Sequence, residues 1–107
     1  MSAWLEDIIT DTVEDTNTIF LFTDDLSSAA FRATEVTVFN YGATNECFVN
    51  FKGTTATTDH RRIAAGSTVT FVDPSPTGDG IPGIGVICGT GETTTVQCWA
   101  VRPTVAP

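Results

Sequence analysis

The single histidine of this 107-residue chain stands in Asp59-His60-Arg61-Arg62, where an imidazole beside a carboxylate could serve as a general base. No Gly-x-Ser-x-Gly elbow and no cysteine is near it, so nothing in the sequence offers a nucleophile to activate. It reads as a solvated loop residue. The cysteines, Cys47, Cys88 and Cys98, are odd in number and widely spaced, which fits neither a disulfide framework nor a zinc site. Each falls in a β-like run, where a thiol behaves as a small apolar side chain and stays reduced. Asp73-Pro-Ser-Pro-Thr-Gly-Asp-Gly80 places oxygens at alternate positions and a glycine sixth, as a calcium loop does, but Ile84 holds the twelfth place that needs a bidentate Glu. Gly89-Thr-Gly-Glu92 lacks the Gly-Lys-Ser that a phosphate cradle requires and reads as a turn. The sequence therefore predicts no catalytic residue, no metal site and no cofactor, and a chain that is not an enzyme.

Charge narrows the partners. The formal net charge is −8, which argues against nucleic acid, whose phosphates attract the Lys and Arg this chain largely lacks. The acids are also lopsided: Glu6, Asp7, Asp11, Glu14, Asp15, Asp24 and Asp25 precede Leu26, with no Lys or Arg among them. That composition suits either a docking arm for a basic surface or a solvated face. Arg61 and Arg62, paired cations in an acidic protein, either decorate a loop or meet acids on a neighbouring subunit. The start, Met1-Ser-Ala-Trp-Leu-Glu-Asp, lacks the basic and apolar regions of a signal peptide, and no window approaches the length of a membrane span. Synthesis in the cytoplasm and no membrane partner are the expectation.

These residues must be positioned by β structure. Glu35–Tyr41, Cys47–Phe51, Thr68–Val72, Ile84–Cys88 and Thr93–Val101 alternate β-branched or aromatic residues with polar ones, and Gly, Pro, Asn and Asp collect between them. The first two runs are expected to form a hairpin-like pair, the last two a closing hairpin around Gly89–Glu92. Val69 and Phe71 should point inward. Residues 73–83 hold three prolines and three glycines and must be a loop. The fold expected is an all-β, small antiparallel sandwich or barrel over residues 18–102, with an N-terminal arm over 1–17 and a tail over 103–107.

The arm carries Trp4, Leu5, Ile8, Ile9 and Val13 on one face at a period near 3.6, with Ser2 as a cap, which favours a helix by a narrow balance. Thr10, Thr12, Thr16 and Thr18 speak for an extended segment instead. Ile19-Phe20-Leu21-Phe22 is a strand without polar alternation, either buried on both faces or pressed against a neighbouring subunit. Both apolar sets are expected interface residues, and a core this small gains from self-association; a homo-oligomer is expected, with a trimer favoured.

Val36-Thr-Val-Phe-Asn40, Gly42, Cys47-Phe-Val-Asn-Phe51, Thr54-Thr-Ala-Thr-Thr58, Ile63-Ala-Ala-Gly-Ser67, Thr68-Val-Thr-Phe71 and Gly91-Glu-Thr-Thr-Thr-Val96 occur in that order. Over residues 36–101 the chain thereby resembles small Thr- and Gly-rich β-sandwich proteins of tailed-phage virions. The resemblance implies a structural role on the particle: a capsid decoration or cement protein that binds the major capsid protein and is located in the virion. Tail or fibre components are the alternative within it. A carbohydrate-binding adhesin module, with Tyr41, Trp99 and the residue 73–83 loop as its platform, is the alternative outside it. The acidic N-terminal segment and the proline-rich loop depart from the family pattern.

Overall fold

In a computed structural model that describes residues 4–73 and 79–103, the chain is all-β, with eight strands and no helix among those residues. The strands are β1 (Trp4–Val13), β2 (Thr18–Leu21), β3 (Glu35–Asn40), β4 (Cys47–Asn50), β5 (Arg61–Ile63), β6 (Thr68–Val72), β7 (Gly83–Cys88) and β8 (Thr94–Pro103). They build two four-stranded antiparallel sheets, ordered β1-β8-β3-β6 (sheet I) and β2-β7-β4-β5 (sheet II), packed face to face as a β-sandwich.

Period-two alternation places the core where the sequence expects it. Val36, Val38, Val96, Cys98 and Ala100 of sheet I are fully buried against Phe20, Val49, Ile63, Ile84 and Val86 of sheet II. Each large side chain so buried contributes about 1.5–3 kcal/mol. Val69 and Phe71 pack against this core from the edge strand β6. The central strand β7 is covered on both faces, and glycine permits this: a Cβ at Gly85 would lie 2.5 Å from the Thr54 carbonyl oxygen. The Thr-rich connection after β4 thus lies across sheet II. Asn17 pins it there, donating from Nδ2 to Thr54 O at 2.7 Å and accepting the Ala56 N–H at 2.7 Å.

Two expectations are corrected. Trp4–Val13 is a strand, hydrogen-bonded to β8 along its whole length, and Val13 is completely buried. The helical reading failed because Trp4 and Ile8 on one face, and Leu5, Ile9 and Val13 on the other, are spaced by four. That spacing fits a helix and a strand alike, and the β-branched residues and a long partner strand decide for the strand. Both expected hairpins, β3 with β4 and β7 with β8, are instead crossings from one sheet to the other. The crossing after β3 is fixed by Asn40, fully buried and fully satisfied. Its Nδ2 donates to Asn45 O (2.9 Å) and Ile63 O (3.2 Å), while its Oδ1 accepts from Gly42 N (3.0 Å) and Thr94 Oγ1 (2.7 Å). Loop and sheet are tied at one buried amide.

Candidate assembly interface

A four-stranded open sheet has two edges, and those of sheet I differ in chemistry. On β1, the first part of the edge is closed. Glu6 N–H donates to Asp24 Oδ1 (3.2 Å), Asp25 N–H donates to Glu6 O (2.8 Å), and Thr23 N–H donates to Asp7 Oδ2 (2.9 Å). Burial pushes the Asp24 carboxyl up, but hydrogen bonds from Glu6, Ser27 and Leu26 outweigh it and hold the group below its usual 3.8. Because Glu6 turns its backbone away from β8, so do Ile8, Thr10 and Thr12, two, four and six residues on. Their outward backbone groups meet no backbone partner among the described residues.

The opposite edge is β6. Asp73 N–H donates to Thr34 O (2.8 Å) and Asn40 N–H donates to Ser67 O (3.0 Å), which sets the phase of the ladder with β3. Val69 and Phe71 therefore bond to β3, while Thr68, Thr70 and Val72 present their backbone groups outward. Beside them Phe51 and Phe71 stack with centroids 5.1 Å apart, and Arg32, Lys52 and Arg61 line the shallow grooves around that pair. Arg62 follows on β5, paired with Glu46.

One flank thus carries Asp7, Asp11, Asp24 and Asp25, the other Arg32, Lys52 and Arg61 together with Asp73 just past the end of β6. The sheet order adds a geometric fact. With four mutually antiparallel strands, β1 and β6 run in opposite directions, so β6 of one copy and β1 of a second copy in the same orientation would meet antiparallel. The outward-facing residues on both edges also belong to the solvent face of the sheet, so no face is flipped by such a joint.

The structure separates the residues singled out in the sequence. Trp4 and Ile8 are exposed on the outer face of sheet I, Ile8 opposite Trp99, whose indole N–H donates to Glu6. Leu5 and Ile9 pack on the core and Val13 lies within it. In the second set Phe20 and Phe22 are buried, whereas Ile19 and Leu21 are 53% and 61% exposed, so this run alternates after all. Tyr41 sits edge-on against Phe39, centroids 4.3 Å apart. The His60 ring accepts the Thr57 N–H at 2.8 Å and meets the Thr57 hydroxyl, a local turn contact. No cluster of His, Cys, Asp or Glu able to hold a metal occurs among the described residues. Residues 74–78 of the calcium-like loop lie outside them. Sequence reasoning missed the pairing of Cys47 with Cys88 across β4 and β7, and the role of Asn17; neither has a local signal.

No family model matches the sequence, and neither does any curated protein. Among solved structures, a chain described under Bacillus endospore appendages that form a novel family of disulfide-linked pili is similar to this one. It shares 18% identity, with 96% of this chain and 88% of that chain covered and a TM-score of 0.54, a likeness of fold.

Proposed function

We propose that this chain is a non-enzymatic structural subunit that joins copies of itself head to tail through the edges of sheet I. The observation that carries the reading is a sheet whose strand order keeps a joined copy antiparallel, with two open edge segments, Ile8–Thr12 flanked by Asp7, Asp11, Asp24 and Asp25, and Thr68–Val72 flanked by Lys52 and Arg61. Ile8 would lie opposite Val72, Thr10 opposite Thr70 and Thr12 opposite Thr68, with Ile9 beside Phe71 on the inner face. Asp11 would then approach Arg61. Main-chain bonds would supply the affinity and the charges the orientation. A contact between different surfaces propagates as an open chain unless its rotation closes a ring such as the expected trimer. The structural neighbour is described among appendages that form disulfide-linked pili. Its disulfide linkage is not carried over, since Cys47, Cys88 and Cys98 are all buried here.

A second reading keeps the virion setting implied by the resemblance, with the major capsid protein, or a tail or fibre, as partner. It is favoured by the outer face of sheet I, where Trp4, Ile8 and Trp99 are exposed at 50%, 54% and 44% in the single chain. The test of the leading reading is the size distribution of the purified chain against concentration and salt, with Thr70→Pro beside it. Proline at an outward edge position removes one outward donor while leaving the backbone bonds of the β3 ladder in place, at the cost of the Thr37–Thr70 hydroxyl contact (2.9 Å). We expect assemblies that grow with concentration and shrink with salt, and a folded monomer for Thr70→Pro. A wild-type monomer at all concentrations, or assemblies unchanged by Thr70→Pro, would overturn it.

A further inference from the structure

We infer that Cys47 and Cys88 are a site for an intrachain disulfide, one that closes while the sandwich folds and leaves Cys98 as a thiol. The two residues are direct partners in the antiparallel ladder of β4 with β7, so both side chains project to the same, inner face of sheet II, where they are 0% and 1% exposed. Cys88 N–H donates to Glu14 O at 2.8 Å, away from β4, which makes the pair one of the closely spaced positions that exchange no backbone bonds. Cα atoms at such positions are about 4.5 Å apart, inside the range of about 4.4–6.8 Å that a disulfide spans. Cys98 has no such neighbour: on sheet I it lies between Ile9 of β1 and Val38 of β3.

The chemistry is thiol–disulfide exchange with a small-molecule disulfide such as oxidised glutathione. One cysteine thiolate attacks that disulfide, giving a mixed disulfide and releasing one glutathione thiolate. The second cysteine thiolate attacks the protein-side sulfur, forming the Cys47–Cys88 bond and releasing the other. The two protons lost by the cysteines end on the two glutathione thiols, so the protein is oxidised by two electrons and the reagent reduced by two. In the closed fold this is blocked, because burial, then the neighbouring Cys88 and Glu46, push the Cys47 thiol up to about 12, and burial, then Glu92, raises Cys88. The pair sits at strand ends, Cys47 the first residue of β4 and Cys88 the last of β7, where local fraying begins.

The experiment refolds the full chain from denaturant in a glutathione redox buffer and maps disulfides by mass spectrometry, beside Cys98→Ser and Cys88→Ser. We expect one intrachain link, Cys47 to Cys88, with Cys98 alkylated only after denaturation. The link should be unchanged in Cys98→Ser and absent in Cys88→Ser, and the oxidised wild type should have a higher denaturation midpoint than the reduced. Should Cys88→Ser fail to fold, Cys98→Ser still decides. A link through Cys98, a bond between chains, or a chain that refolds with all its thiols reduced would overturn the inference.

Discussion

The two edges of sheet I, the ten-residue β1 and the five-residue β6, present opposite problems to solvent. Along β1 the chain defends its first half: the turn at Asp24 and Asp25 takes both backbone groups of Glu6, and Asp7 takes the Thr23 N–H. Along β6 the described residues provide no such cover for Thr68, Thr70 and Val72; instead Phe51, Phe71 and Arg61 form a groove next to them. Proteins commonly blunt their edge strands to avoid pairing with other chains. Here another segment caps one edge only as far as Asp7; the remainder, Ile8–Thr12, matches the length of β6, and within it Thr12 N–H donates to the adjacent Asp11 Oδ1 (2.8 Å), a local contact that joining would replace. An edge strand left open opposite a complementary one reads as a joint.

The largest effect should come from removing one side of the comparison altogether. Deleting residues 4–13 strips Val13 from the core, uncovers Cys98 and Ala100, and leaves β8 without its long partner. We expect the deletion variant to lose cooperative unfolding rather than to behave as a sandwich without an arm, since this loss approaches the whole stability of a small domain, about 5–15 kcal/mol. Circular dichroism with a denaturant titration reads this directly. A stable, cooperatively folded remainder would show that β1 is an appendage after all.

A smaller effect should separate the capped from the uncapped part of β1. The Asp24 carboxyl is held below 3.8 by the hydrogen bonds that tie the turn to Glu6. A group whose folded value is depressed contributes stability above its unfolded value and loses it as pH falls through the folded one. The cap should therefore be intact above pH 3.8 and fail as acid is added below it, and Asp24→Asn should flatten that part of the stability profile. Amide exchange at Glu6 and Asp25 follows the cap itself; exchange there that is unaltered by acid or by the substitution would remove Asp24 from the account.

Much of this architecture is legible in the sequence, and the rest is hidden for physical reasons. Alternation in Glu35–Asn40 and Thr94–Val101 identifies strands and their inner faces, because period two is a local property. Which strands pair is not local: the loops after Asn40 and Cys88 look like hairpin turns but cross between sheets, and the buried Asn40 network that fixes the first crossing joins its own loop, at Gly42 and Asn45, to two distant residues, Ile63 and Thr94. The asymmetry of charge is visible as an acidic start and the Arg61-Arg62 pair. That the two occupy opposite edges of the molecule follows only from the strand order. Cys47 and Cys88, far apart in sequence, become neighbours for the same reason.

Head-to-tail joining can be trapped covalently by placing one cysteine on each edge, Thr10→Cys with Thr70→Cys, in a Cys47→Ser/Cys88→Ser/Cys98→Ser background, and oxidising at assembly concentration. We expect a ladder of covalent oligomers on non-reducing gels, with neither single substitution going beyond dimers and the ladder collapsing to monomer on reduction. A double variant that stays monomeric under oxidation, or forms only dimers, would contradict head-to-tail joining of β1 to β6.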